Sequence, residues 1–162
     1  MKIRVATKDD IPEIKKGLLE SWLSHVDNEP DYYNRERVKT SDIYSYYTNA
    51  IDNNDSFVLV LDEDGILAGF GKADIQKVEA WYKEQSVLYI DDIFIKKEYR
   101  KKGYAKTLLQ EFEKIAKNSG IKWLKAKVYS FNEPAKKLNK SFGFHELYCV
   151  PNGLGAALWR QF

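Results

Sequence analysis

A strand that empties directly into a helix restricts this chain more than any other feature. Val87-Leu-Tyr-Ile-Asp-Asp-Ile-Phe-Ile95 is the strongest strand-like run, interrupted only by Asp91 and Asp92. The basic turn Lys96-Lys-Glu-Tyr-Arg-Lys-Lys-Gly103 follows. Tyr104 to Lys117 then sets Tyr104, Leu108, Leu109, Phe112, Ile115 and Ala116 on one helical face. Gly120 closes that helix as a C-cap residue. From Ile121 to Tyr129 the chain alternates, with Leu124, Ala126 and Val128 on one side and Lys125, Lys127 and Tyr129 on the other, as a half-buried strand does. Strand, helix and strand in this order predict a parallel pair joined by a right-handed crossover.

The remaining elements do not continue a β-α alternation. Ile3 and Val5 alternate with charges on a short first strand. Thr7 then offers a helix cap, with Asp9, Asp10 and Pro12 suited to a first turn and Ile11, Ile14, Leu18 and Leu19 at helical spacing. Residues 24–34 read as polar and irregular. A second helical region runs through Val38, Ile43, Tyr46, Tyr47, Ala50 and Ile51, with Thr40-Ser41-Asp42 as its weak point. Strands over 56–61 and 66–75 flank the tight turn Asp62-Glu63-Asp64-Gly65, and 77–84 reads as a loop. Pro134 opens a short helix that stops near Gly143, and 144–150 with 156–162 form a last hairpin around Pro151-Asn152-Gly153. The order β-α-α-β-β-β-α-β-α-β-β predicts an α+β fold with a mixed, mainly antiparallel sheet in α/β/α layers. With no internal repeat or Gly/Ser/Pro-rich linker, residues 1–162 read as a single domain.

Several functions are excluded by composition. A net charge of +2 argues against bulk nucleic-acid binding and confines any anion site to a local patch. One cysteine, Cys149, forbids an internal disulfide, and with only two histidines a structural zinc site is not expected. Cys149 also has no base placed beside it in sequence, and His25 and His145 read as structural or surface residues. The charged start Met1-Lys-Ile-Arg-Val5 does not read as a signal peptide, and no apolar run reaches the roughly 18 residues that a membrane helix needs. A cytoplasmic protein without membrane or nucleic-acid partners is expected.

The turn before the long helix carries the clearest chemistry. A helix start exposes unpaired N–H groups and the positive end of the dipole. Gly103 and Ala105 let an anion approach the backbone, while Arg100, Lys101, Lys102 and Lys106 supply positive field, making an anion cradle. It lacks the Gly-Lys-Ser/Thr ending of a Walker loop and the three glycines of a dinucleotide fingerprint.

The pattern Arg100-x-x-Gly103-x-Ala105 resembles the Gln/Arg-x-x-Gly-x-Gly/Ala signature of the GCN5-related N-acetyltransferase (GNAT) family. Asp92-Ile-Phe-Ile95 is similar to that family's fourth strand, and Asn132-x-x-Ala135 followed by Gly143-Phe144 to its second coenzyme A segment. The resemblance implies a sheet whose fourth and fifth strands splay apart around acetyl-CoA. It implies that the backbone of Ile93, Phe94 and Ile95 meets the pantetheine arm. Arg100, Lys101, Lys102, Gly103, Tyr104, Ala105 and Lys106 would hold the pyrophosphate, and Asn132 and Ala135 would flank the arm from the other wall. The implied reaction is direct transfer of an acetyl group from acetyl-CoA to a primary amine in a ternary complex.

That resemblance also assigns the proton carriers. Asp91 and Asp92 are the base candidates, the alternative being that they only hydrogen-bond neighbouring loops. Neighbouring strand residues face opposite ways unless a bulge intervenes, and the family's acid pairs favour Asp91. The family often has a tyrosine seven residues after its asparagine, as the acid toward sulfur; here that residue is Asn139, which can hydrogen-bond the sulfur or the cofactor arm but cannot donate a proton as an acid. Tyr129 is a substitute acid or a wall of the cleft. On the acceptor side, Asp27, Tyr32 and Tyr33, with Glu29 and Asp31 beside them, suit a cationic small amine or a protein amine, and suit a solvated, mobile loop slightly better. Trp81 and Tyr82 reach the same region or cap the sheet. A catalytically weak acyl-CoA sensor of the same fold is the alternative function, and a homodimer stays open.

Overall fold

The computed structural model describes residues 1–149 and 155–161. Within these residues seven strands form one sheet in the order β1-β2-β3-β4-β5-β7-β6. The strands are β1 (Lys2–Val5), β2 (Ser56–Glu63), β3 (Ile66–Lys77), β4 (Ser86–Ile95), β5 (Trp123–Tyr129), β6 (His145–Cys149) and β7 (Gly155–Gln161). The helices are α1 (Ile11–Asn28), α2 (Arg35–Lys39), α3 (Ile43–Ile51), α4 (Tyr104–Asn118) and α5 (Glu133–Ser141). Every neighbouring pair is antiparallel except β4 and β5, which run parallel across the α4 crossover.

Strand alternation divides the core into two layers. On one face Leu108, Leu109, Phe112 and Ala116 of α4 pack against Leu88, Ile90, Leu124, Ala126 and Val128. On the other, Ile11, Ile14 and Leu18 of α1 and Ile43 and Tyr47 of α3 pack against Val58, Val60, Phe70 and Phe94. Gly17 is needed where α1 crosses β4, since a Cβ there would fall 2.6 Å from the Phe94 ring.

Three boundaries depart from the sequence reading or sharpen it. Residues 24–28 are helical rather than irregular, because Trp22 and buried Val26 continue the apolar spacing of α1 past its polar neighbours. The second helical region does break at Thr40-Ser41-Asp42. Each half has its own cap: Asn34 accepts from the Arg37 N–H at 3.0 Å and Asp42 from the Ser45 N–H at 3.1 Å. The β2–β3 turn is tighter than expected, with Asp64 and Gly65 both at positive φ, so the ladder continues to Glu63↔Ile66. The turn expected at Pro151-Asn152-Gly153 lies outside the described residues.

Two irregularities shape the middle of the sheet. The β4–β5 ladder pairs only Leu88↔Leu124, Tyr89↔Lys125 and Ile90↔Ala126, although β4 continues to Ile95 and β5 to Tyr129. The two strands therefore part beyond Ile90, as the splayed pair was expected to. At the same level the β3–β4 register slips between Lys72 and Ala73, whose partners are Asp92 and Ile90. Asp91 is the extra residue of a β-bulge, so Asp91 and Asp92 both turn to one side of the opening.

Candidate active site

The opening between β4 and β5 has a basic helix start at one end and a carboxylate-bearing cleft on its α1–α3 side. After Ile95 the chain makes a 3-10 turn, Lys97–Tyr99, and enters α4 at Gly103. Lys101 and Gly103 both have positive φ, 62° and 85°, in the kind of alternation that turns successive N–H groups toward an anion. No side chain caps α4 and no acid sits in its first turn, so the N–H groups of Tyr104, Ala105 and Lys106 face outward without a competing carboxylate. A Cβ built on Gly103 would meet nothing within 4 Å, which leaves space for a phosphate over the backbone. Lys101, Lys102 and Lys106 are exposed around it.

Arg100 has a structural contact that the sequence reading did not include. Its Nε donates to the Ile95 carbonyl at 2.9 Å and its terminal nitrogen reaches Glu20 at 3.2 Å. The guanidinium closes the turn onto the end of β4 and α1. The positive field on the cradle comes from the three lysines and the helix.

The cleft holds about 360 Å³ and is lined by Asp91, Asp92, Lys127 and a set of aromatic residues. Tyr47, fully buried, donates its hydroxyl to Asp92 Oδ2 at 2.8 Å. Burial, reinforced by the charge on Asp91, pushes the Asp92 carboxyl up to about 7. Asp91 is more exposed and already engaged: Tyr46 donates to it, and Lys72 Nζ lies 3.1 Å from it. Lys72 is itself buried and also bonds Asp74. Burial opposes its charge, but the bonds to Asp74 and Tyr46 hold its pKa above the usual lysine value. The ammonium also sits 4.8 Å from the Tyr46 ring centroid.

The other predicted residues scatter around this centre. Tyr129 and Tyr33 line the cleft, with ring centroids 6.2 Å apart, and His25 stacks 4.4 Å from Tyr129. Burial and then a hydrogen bond with Tyr129 raise the Tyr33 pKa, so the Tyr33 phenol keeps its proton at neutral pH. Asp27 pairs with Arg35 at the exposed end of α1, and Tyr32 is exposed beside Tyr33; neither lines the cleft. Trp81 and Tyr82 are exposed on the β3–β4 loop, outside the cleft. Asn132 caps α5, accepting from the Ala135 N–H at 3.1 Å, and Asn139 is buried, donating to the Ala135 carbonyl at 2.9 Å. Ile93 and Ile95 pack toward α4 and Phe94 toward α1, leaving their backbone along the opening.

Tyr46, Tyr47 and Lys72 escaped the sequence reading. Lys72 and Asp74 carried a usable signal: they fall on the same strand parity as core residue Phe70, where an isolated charge needs a partner. The two tyrosines looked like ordinary core residues of a helix.

Most of the chain matches a known family model. Residues 19–144 match the model described as the acetyltransferase (GNAT) family. The chain belongs to the GNAT family. Two curated relatives come from Bacillus subtilis (strain 168). The uncharacterized N-acetyltransferase YycN is 37% identical over 62 residues, 38% of this chain and 40% of its own length. The putative [ribosomal protein bS18]-alanine N-acetyltransferase is 31% identical over 99 residues, 61% of this chain and 60% of its own. The matched segments thus span about half the length of these relatives. Among solved structures, PaiA N-acetyltransferase from Thermoplasma acidophilum, in complex with coenzyme A, superposes with a TM-score of 0.79. It is 22% identical, and the match covers 99% of this GNAT chain and 98% of that one, which establishes a shared fold.

Proposed function

We propose that this protein is an N-acetyltransferase that moves an acetyl group from acetyl-CoA to a primary amine held in the cleft. The observation that carries the reading is a single opening between β4 and β5. A buried carboxyl pushed up to about 7 stands where the strands part, and an uncapped, lysine-ringed helix start follows the far end of β4. GNAT membership agrees with it. The residues present fit coenzyme A: the open space over Gly103 and the outward N–H groups of α4 suit its pyrophosphate, and the unpaired flank of β4 from Asp92 to Ile95 suits an extended arm.

When bound, acetyl-CoA supplies its acetyl group as a thioester: a C–N bond forms to the amine, the C–S bond breaks, and the thiol leaves. Asp92 takes the proton that the ammonium must lose. Raising Asp92 to about 7 narrows the gap to a lysine-like ammonium, with a pKa of about 10.4, by roughly half compared with an ordinary carboxylate. Tyr47 fixes the carboxyl with a bond it always donates, since burial beside Asp92 holds its own pKa well above the usual value. Asp91, fixed by Lys72 and Tyr46, attracts the ammonium and keeps Asp92 basic. This assigns the base to Asp92, where the resemblance alone favoured Asp91. A strand-four N–H at Ile93 or Phe94 polarises the thioester carbonyl. Tyr129, at the β5 wall, returns a proton to the thiolate in place of Asn139, whose amide already serves α5.

The testing experiment measures thiol release from acetyl-CoA over a panel of primary amines. Release that requires an amine, with matching amide product, supports transfer. Tight cofactor binding with no release on any amine supports the sensor reading instead.

A further inference from the structure

Lys127 faces the two aspartates across the opening. The parallel ladder ends at Ile90↔Ala126, and the next step of that register would set Lys127 opposite Asp91 where the strands part. Lys127 lines the same cleft as Asp91 and Asp92. Its Nζ lies 4.8 Å from the Tyr129 ring centroid, and among the described residues no carboxylate comes within ion-pair reach of it. Lys72 differs, being held by both Asp74 and Asp91. Between these opposed charges the wall is aromatic, formed by Trp22, His25, Tyr33, Tyr89 and Tyr129. His25 adds no second cation at neutral pH, because burial and the charge on Lys127 lower its pKa.

We propose that the acceptor is a zwitterionic amino acid with an aromatic or large apolar side chain. Its ammonium lies at Asp91 and Asp92, its carboxylate at Lys127, and its side chain against the rings. The proposal rests on the acetyl-transfer reading above and names the substrate class of that same cleft. The product is the N-acetyl amino acid, with the ammonium proton passed to Asp92 and the thiol released. A polyamine or aminoglycoside would bring further positive charge against Lys127, and a lysine side chain of a protein brings no anion to it. A cleft of about 360 Å³ suits one small molecule.

The test compares kcat/KM for L-phenylalanine with that for phenethylamine, the same ring and amine without the carboxylate, at saturating acetyl-CoA. A charge-assisted bond to Lys127 favours L-phenylalanine by on the order of 10- to 100-fold in the wild type. Lys127→Met brings the ratio to about one by that argument, and Lys127→Glu inverts it. Lys127 is exposed at a strand edge of the opening, so both variants are expected to fold; a thermal melt checks this. Equilibrium binding of the two ligands to the coenzyme-A-loaded protein reads the same ratio without turnover. A wild type that uses phenethylamine as well as or better than L-phenylalanine, or a ratio that neither variant moves, overturns this proposal and leaves acetyl transfer standing. No thiol release with any amine overturns the underlying reading as well.

Discussion

Asp92→Asn separates the proposed base from an ordinary buried carboxyl through two linked readouts. In the folded protein burial and Asp91 raise this carboxyl from 3.8 to about 7. The folded state therefore holds the Asp92 proton more tightly than the unfolded chain does. The stability this contributes is fully present below about pH 4 and is lost as pH rises through about 7. At about 1.4 kcal/mol for each pH decade, the loss approaches about 4 kcal/mol at the alkaline end. Asparagine keeps an oxygen for the Tyr47 hydroxyl and never ionises. The variant should thus match the wild type near pH 4 and exceed it by a few kcal/mol, at most about 4, at pH 8 in denaturant titrations. Its activity should move the other way. Loss of a positioned base costs roughly 10²- to 10⁴-fold in kcat/KM. The wild-type profile should rise with pH through an inflection near 7, and that inflection should vanish in the variant. An inflection near 4, or an Asn variant with unchanged rate and unchanged alkaline stability, would refute the reasoning.

Three further outcomes follow from the same geometry. Gly103→Glu places an anion and a strained φ of 85° in the cradle, so isothermal titration should show coenzyme A affinity reduced at least about 100-fold while the circular dichroism spectrum is retained. Lys72→Met strands Asp74 and Asp91 beside a buried site; stability at neutral pH should fall by about 3 kcal/mol in chemical denaturation. The activity inflection should also move to higher pH, since the Lys72 charge holds Asp92 down. Tyr129→Phe removes the proposed proton donor and should lower kcat about tenfold or more, with little change in coenzyme A affinity measured by titration.

Much of the fold was legible because its signals are local and periodic. The amphipathic run of α4, the alternation of β5 and the Asp64-Gly65 turn each follow from short-range chemistry, and together they give the parallel β4–β5 crossover. The open, basic start of α4 was legible for the same reason, since its glycine, its lysines and the helix they precede are contiguous. The cleft was not. Its chemistry depends on a bulge that turns Asp91 and Asp92 to one side, and no residue preference in Ile-Asp-Asp-Ile announces that register slip. Tyr46, Tyr47 and Lys72 come from α3 and β3, far away in sequence, and reach the aspartates only after the sheet and helices have packed. Asp27 misled because its acidic loop-like context hid a helix end where Arg35 neutralises it. That Arg100 also closes its turn was not legible, because its partner, the Ile95 carbonyl, is a backbone group that sequence pattern does not show as unpaired.

The most direct test of the account follows thiol release and amide formation together, with acetyl-CoA and an amine panel that includes L-phenylalanine, phenethylamine and an N-terminal peptide amine. The account predicts thiol released in step with one acetylated amine, only when cofactor and amine are both present, with the rate rising through pH 7. Tight acetyl-CoA binding with no amine-dependent release on any member of the panel would contradict it.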